Sequence, residues 1–124
     1  MQEQEVARKL ELCVGSFKKV LYEPDDIFLK NMEKNNLAGD DISKYQLWEW
    51  TQGVGLYGLY NYYKLTGDRG TFDFLCGWYD ARMAEGLPER NVNTTCPMLT
   101  LLCVYEDTQD ERYGALCRDL SLIH

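Results

Sequence analysis

Histidine is almost absent from this 124-residue sequence, because its one histidine is the final residue, His124. A metal site built on several histidines and a Ser-His-Asp triad within the chain are therefore excluded. The cysteines are odd in number, five, and include no C-x-x-C pair, so neither a disulfide framework nor a zinc site is indicated. We expect buried thiols in a reducing compartment, and we predict no metal and no cofactor.

The sequence also lacks a basic run and a long apolar stretch. Its formal net charge is −7, which disfavours nucleic acid as a partner. No stretch approaches the length of a membrane span, and the start MQEQEVARKL has no apolar segment of the secretory kind. We therefore expect a cytoplasmic protein that binds neither membrane nor nucleic acid. The chain does have 45% hydrophobic residues, enough for one packed domain.

Apolar residues recur at helical spacing in several segments. The first segment, from Val6 to Val20, predicts an amphipathic helix that stops before Pro24. The polar segment 31–46 predicts mostly loop. From Trp48 onward, segments that are apolar nearly all round (VGLYGLYNYYKL and PMLTLLCVYE) alternate with amphipathic ones. This order predicts a buried helix followed by a half-exposed helix, twice, and the tail LSLIH does not continue the pattern.

A repeat with a period of 42 residues underlies this alternation, and the period suits one helical hairpin. Its phase places one Thr-x-Asp turn between each buried helix and its half-exposed partner. Gly67 is expected to end the first buried helix, and Asp68 to cap the next one. Such hairpins are also typical of HEAT- or armadillo-like interaction modules, which stay open as an alternative. The matched positions are Leu59, Tyr63, Thr66 and Asp68, which recur as Leu101, Tyr105, Thr108 and Asp110.

The segment GVGLYG, residues 53–58, has the glycine spacing of a dinucleotide-binding fingerprint. That fingerprint requires a β-strand immediately before it and a second strand after its helix. The preceding YQLWEWTQ lacks a β-branched run, and the helical pattern continues past Gly58. We therefore predict that the match is coincidental. Because glycine costs about 1 kcal/mol in a helix, we expect Gly55 and Gly58 to allow close helix packing.

Two longer segments carry a family resemblance. WTQGVGLYGLYNYYKLTGD and GLPERNVNTTCPMLTLLCVYEDT resemble successive blocks of the unsaturated glucuronyl and rhamnogalacturonyl hydrolases, glycoside hydrolase families 88 and 105. The resemblance covers about residues 6–118. It implies an all-α fold, an (α/α)6 barrel of six helical hairpins. Residues 1–124 would be an incomplete barrel domain, about its N-terminal half.

The resemblance also implies an activity, the hydration of unsaturated uronic-acid oligosaccharides such as unsaturated galacturonyl-rhamnose released from pectin by lyases. A protonated aspartate would give a proton to C4 of the C4=C5 double bond, and water would add at C5. This chemistry differs from carboxylate attack at the anomeric carbon. The family's proton donor corresponds to a position beyond His124, so we expect no catalytic residue here and an inactive chain. Asp68, Asp80 and Asp110 are interpreted as capping or solvated carboxylates.

In the family fold, the active site lies where the inner helices begin. Aromatic rings stack on sugar faces, and amides and hydroxyls bond sugar hydroxyls. Two alternatives to sugar binding stay open. Trp48 or Trp50 could instead pack in the core, and the run NVNTT could instead cap a helix. Cationic groups for the uronate would come from elsewhere in the complete enzyme, since this chain is acidic. The predicted substrate-binding residues are Trp48, Trp50 and Gln52 at one helix start, and Asn91, Asn93, Thr94 and Thr95 before the next.

Overall fold

The computed structural model describes residues 2–22, 26–36, 39, 47–86 and 89–121, and these contain six α-helices and no strand. The predicted all-α fold is therefore confirmed. Among the described helices, none combines the length and the apolar character that crossing a bilayer demands. In chain order the helices are α1 (Glu3–Tyr22), α2 (Asp26–Lys34), α3 (Trp50–Thr66), α4 (Arg69–Glu85), α5 (Val92–Thr108) and α6 (Glu111–Ser121).

The chain divides into two compact units, of which the first is Met1–Gln46. Helix α1 is the predicted amphipathic helix, and it ends at Tyr22. The apolar positions in its first half stay accessible, with Val6 48% and Leu10 38% exposed.

Helix α2 corrects the expectation of a loop from residue 31, because it continues to Lys34. Its nine residues make fewer than three turns, which is too short for a helical period to stand out in the sequence. Residues 37–38 and 40–46 of the predicted loop lie outside the described residues.

The second unit, Leu47–His124, consists of two helical hairpins, α3/α4 and α5/α6. Helix α5 packs against α3, α4 and α6, so the core lies between the two hairpins. Helix α6 extends to Ser121, further than the tail LSLIH indicated, because Leu120 joins this core. Residues 122–124 are outside the described part. The most deeply buried apolar side chains of this unit are Leu56, Leu59, Phe72, Leu75, Trp78, Tyr79, Leu101, Val104, Tyr113 and Leu120.

The predicted repeat is confirmed in the backbone. Helices α3 and α5 each have 17 residues, and both their first and their last residues are 42 positions apart. Each ends at a residue in the left-handed conformation, Gly67 in one case and Gln109 in the other. The N–H of Gly67 donates to the carbonyl of Tyr63, and that of Gln109 to the carbonyl of Tyr105, both at 2.7 Å.

The Thr-x-Asp turns repeat in the same way. The backbone N–H of Asp68 donates to Oγ1 of Thr66, and that of Asp110 donates to Oγ1 of Thr108, both at 3.2 Å. Each aspartate carboxylate accepts from the backbone N–H two residues later, at 3.2 and 3.0 Å respectively. The two turns therefore cap the helices that follow them in an equivalent manner, as expected for Asp68.

A close approach between α3 and α5 occurs at Gly53, which the sequence analysis did not single out. A Cβ on Gly53 would lie 2.6 Å from both Sγ of Cys96 and the backbone nitrogen of Pro97. A Cβ on Gly58 would meet nothing within 4 Å, so the expectation for Gly58 is wrong, since it lies on an open face of α3. All of GVGLYG lies inside α3, which begins at Trp50. The glycines therefore do not form the strand-to-helix turn of a dinucleotide-binding site. This agrees with the prediction that the match is coincidental.

Candidate sugar-binding site

The N-terminal ends of α3 and α5 lie side by side. The indole N–H of Trp48, just before α3, donates to the carbonyl of Thr94 at 2.6 Å. The contact of Gly53 with Cys96 and Pro97 holds the two helices together one turn further on. The sequence segments chosen as site candidates therefore converge on one end of the second unit.

A cleft of about 320 Å³ opens at this end. Three predicted residues, Trp48, Asn91 and Thr94, line it, whereas Trp50, Gln52, Asn93 and Thr95 are not among its lining residues. Its other walls come from the end of α4 and from the segments that precede α3 and α5. The full lining is Leu47, Trp48, Glu49, Arg82, Glu85, Gly86, Glu89, Asn91 and Thr94.

The charge of the cleft is negative, since three glutamates and one arginine line it. The Arg82 side chain is only 16% exposed, and its Nη2 lies 2.8 Å from Oε1 of Glu85. Its guanidinium carbon lies 5.9 Å from the centre of the Trp78 ring. The pairing with Glu85 offsets the arginine charge, so the cleft alone does not favour an anion.

The side chain of Trp48 is held in the core. It is 6% exposed, and its ring stacks on Trp78 with centroids 5.8 Å apart. The edge of Tyr79 approaches it with centroids 5.5 Å apart. This is the packing expected of a core residue, with the indole N–H satisfied by a backbone carbonyl. Trp48 therefore shapes the floor of the cleft and has little free ring surface.

Trp50 and Gln52 differ sharply in exposure although both belong to the first turn of α3. Trp50 is 52% exposed, whereas Gln52 is 2% exposed. The carbonyl oxygen of the Gln52 side chain accepts from Oγ1 of Thr51 at 2.7 Å. Trp50 is thus an exposed aromatic ring in the first turn of α3.

The run NVNTT forms the N-cap of α5. The side-chain oxygen of Asn91 accepts from the N–H groups of Asn93 and Thr94, at 2.9 and 3.2 Å. In return, Oγ1 of Thr94 accepts from the Asn91 N–H at 3.0 Å, which completes a capping box. Asn91 and Thr94 therefore both take part in helix capping, which was the alternative interpretation of this run.

The position of the run also corrects the sequence analysis, because α5 begins at Val92. Asn93, Thr94 and Thr95 consequently lie inside the first helical turn and not before it. The hydroxyl of Thr95 donates to the carbonyl of Val92 at 2.7 Å. Asn91 and Asn93 are both exposed, and the side-chain oxygen of Asn91 is engaged in the cap.

The three acids singled out from the sequence have structural partners and do not line the cleft. Asp68 caps α4. Hydrogen bonds from Arg112 lower the pKa of Asp110, and Asp80 accepts from the Tyr113 hydroxyl at 2.8 Å. Within the described ranges no group of His, Cys, Asp or Glu side chains is arranged to hold a metal ion.

Sequence analysis did not identify Arg82 and Glu85, which line the cleft. Their three-residue spacing and their place just before Gly86, at the end of α4, are the signals that could have found them. A hairpin returns its second helix to the end at which the first began, so the last turn of α4 reaches the cleft.

Comparison with known proteins shows first which structures this chain is similar to and then the family to which it belongs. The crystal structure of a possible member of the GH105 family from Klebsiella pneumoniae subsp. pneumoniae MGH 78578 is similar over 59% of this chain and 19% of that chain. The TM-score is 0.57 and the sequence identity is 45%. This part of the chain thus matches a fragment of that helical structure.

The model of Glycosyl Hydrolase Family 88 matches residues 25–122, and the chain belongs to that family. The unsaturated rhamnogalacturonyl hydrolase YesR of Bacillus subtilis (strain 168) is 32% identical over 66 residues. That match spans 53% of this chain and 19% of YesR, so the chain covers only a small part of such a relative. Family membership confirms the resemblance and decides against the HEAT- or armadillo-like alternative.

Proposed function

We propose that the protein to which this chain belongs hydrates the C4=C5 double bond of unsaturated uronyl oligosaccharides, with unsaturated galacturonyl-rhamnose as the first candidate substrate. The name of YesR and the family match support this choice. The observation that carries it in this chain is an exposed aromatic ring and an exposed amide at the starts of two adjacent helices. This pairing suits a sugar ring, which offers an apolar face and a rim of hydroxyls.

In this proposal the chain supplies part of the pocket and not the proton donor. Its helices would be the N-terminal part of an (α/α)6 barrel, and the donor aspartate would belong to the remaining part. Trp50 would stack on a sugar face and Asn93 would bond its hydroxyls. Trp48, Gln52, Asn91, Thr94 and Thr95 would hold these two in place, since all are buried or engaged in local hydrogen bonds.

The charge of the cleft sets a further condition. Trp50 and Asn93 do not line the cleft, but a uronate held at the same end of the unit would bring its carboxylate toward the cleft's Glu49, Glu85 and Glu89, and Arg82 is already paired. The cations that bind the carboxylate would therefore come from the other part of the barrel. The donor aspartate would need a raised pKa, which burial among apolar groups provides.

The proposal is tested by joining this chain to the C-terminal part of a close relative and following the ultraviolet absorbance of the C4=C5 bond. The extended enzyme should consume the substrate, and the chain alone should not. Trp50→Ala and Asn93→Ala should each lower kcat/KM by about 5- to 150-fold, equivalent to about 1–3 kcal/mol. Val92→Ala is the matched control, because Val92 is 83% exposed at the same helix start.

The outcomes separate the family chemistry from the pocket assignment. An extended enzyme that is active but indifferent to both substitutions shows that the pocket is wrongly assigned. An extended, folded enzyme that consumes no unsaturated uronide overturns the proposed substrate class.

A further inference from the structure

An ion pair joins the start of α5 to the end of α6. Nη2 of Arg90, two residues before α5, lies 2.6 Å from Oδ1 of Asp119 in the last turn of α6. The two residues are 29 positions apart in the sequence, so the pair connects different elements. The next residue of α6, Leu120, is 2% exposed and holds this end of the helix in the core. The connection before α5 is therefore tied to a fixed point on α6.

The ion pair is adjacent to the cap that binds Asn93. Arg90 precedes Asn91, whose side-chain oxygen accepts from the Asn93 N–H at 2.9 Å. On the other side of Arg90, the Glu89 carbonyl accepts from Oγ1 of Thr94 at 2.7 Å. Three consecutive residues are thus bound, and the contact of Arg90 leads from this local network to α6. A movement of Arg90 would therefore displace the cap and, with it, the backbone at Asn93.

The 42-residue repeat shows that the start of α3 is held in a different way. The position equivalent to Arg90 is Trp48, which is buried and stacks on Trp78 of α4. Glu49, at the N-cap of α3, forms no side-chain cap bond with the residues that the structure describes, whereas Asn91 forms a capping box. Core packing therefore fixes the aromatic side of the proposed pocket, and polar contacts fix its amide side.

Neither charge of the pair lies where the electrostatics of its helix favours it. The N-terminus of a helix carries a partial positive charge, and the C-terminus carries a partial negative charge. Arg90 lies just before the N-terminus of α5, and Asp119 lies in the last turn of α6. Each charge therefore weakens its own helix, and the contact between them offsets that cost. Departures from a local rule of this kind are expected where the geometry serves a site.

We propose that Arg90 is a positioning residue for ligand binding by Asn93. The inference rests on the proposed function, in which Asn93 bonds a sugar hydroxyl. Asp119 holds Arg90 and thereby the backbone at Asn91, and the cap transmits this position to Asn93. Because the two charged side chains are 46% and 39% exposed, the pair itself contributes little to stability. Its effect is therefore expected on the binding of substrate and not on the chemical step.

Amide hydrogen exchange followed by NMR tests the positioning in this chain without any substrate. Asp119→Asn should speed the exchange of the Asn93 N–H by about two- to fivefold, the size of effect expected when an exposed ion pair is lost. The free energy of unfolding should stay nearly constant, because removing a negative charge from the end of α6 offsets the lost pair. Asp73→Asn is the matched control, since it removes an exposed pair with Arg69 at the start of α4 and should leave this exchange unchanged.

Charge reversal in the extended enzyme tests the consequence for binding. Arg90→Asp and Asp119→Arg should each raise KM at least about twofold and leave kcat nearly unchanged, because each change places like charges side by side. The double variant should restore KM, since the pair forms again with its signs exchanged. A residue that only stabilised the fold would show no such restoration of KM at constant kcat.

The outcomes separate this inference from the proposed function. Unchanged exchange at Asn93 in Asp119→Asn, or an equal change in Asp73→Asn, overturns the positioning role whatever the substrate is. So does an active extended enzyme whose KM is indifferent to both reversals, or is not restored in the double variant. An extended, folded enzyme that consumes no unsaturated uronide overturns the proposed function, and the exchange measurement then decides by itself whether Arg90 positions Asn93.

Discussion

Two glycines inside helices show how one missing side chain can have opposite consequences at the residue scale. Gly53→Ala would place a Cβ 2.6 Å from backbone and side-chain atoms of α5, which cannot move away cheaply. We expect a loss of about 1–3 kcal/mol in the free energy of unfolding. Gly77→Ala, where a Cβ meets nothing within 4 Å, should instead gain up to about 1 kcal/mol.

Urea unfolding of the two variants in dilute solution measures both effects. Equal stability of Gly53→Ala and Gly77→Ala would show that α3 and α5 are not in close contact at Gly53.

Gln109 occupies the left-handed position that Gly67 fills in the first hairpin, with φ of 56°. A side chain in this conformation meets a backbone clash that glycine avoids. Gln109→Gly should therefore stabilise the protein by about 0.5–1 kcal/mol, after the loss of chain entropy is counted. Gly67→Gln should cost a similar amount, and thermal unfolding of the pair checks both. A destabilised Gln109→Gly would mean that the bond from the Gln109 side chain to the Glu106 carbonyl outweighs the clash.

At the scale of elements, two asparagines at the start of α5 have different expected roles. Asn91 should contribute to stability and Asn93 to binding. Asn91→Ala removes the N-cap oxygen and should lower the free energy of unfolding by about 1 kcal/mol. Asn93→Ala should leave stability nearly unchanged, because its side chain is exposed, and should lower activity in the extended enzyme. Denaturant unfolding of both variants, beside the hydration assay, tests this division. If Asn93→Ala lowered stability and Asn91→Ala lowered only activity, the two roles would be wrongly assigned.

The helices of the second unit were predictable because their signals are local. The period of apolar residues, the Thr-x-Asp turn and the glycine at the end of α3 all lie within a few residues of the feature they specify. The place of close contact was not predictable, since Gly53 is identified only by Cys96 and Pro97, which are over 40 positions away. The lining of the cleft was not predictable for the same reason. Arg82 lies far along the chain from the start of α3 and reaches the cleft only because the second helix of the hairpin runs back to that end.

At the scale of the whole molecule, buried tyrosines and a buried thiol make stability sensitive to alkali. Burial raises the pKa of Tyr79 and Tyr113, and it raises that of Cys117 from 9.0 to about 11. A raised pKa in the folded state means that the folded protein holds these protons more tightly than the unfolded chain does. Their contribution is therefore complete below the unfolded pKa values and is lost as the pH rises through the folded ones.

The free energy of unfolding should accordingly fall as the pH rises from about 9 toward 11. Urea titrations at several pH values measure this slope. Tyr113→Phe removes one of the groups and should make the decline shallower. A stability that stays level over this range would show that the three groups are no more buried than in the unfolded chain.

The two ends of the hairpins differ in the length of chain that joins the helices. Only residues 67–68 connect α3 to α4, and only residues 109–110 connect α5 to α6, whereas residues 86–91 connect α4 to α5 on the cleft side. In the short turns every residue is bound by a cap or a helix end, so an insertion there would break a cap. Longer surface connections tolerate inserted residues far better. Changes in chain length among relatives are therefore expected at the cleft, where they would reshape its walls without disturbing the helical frame.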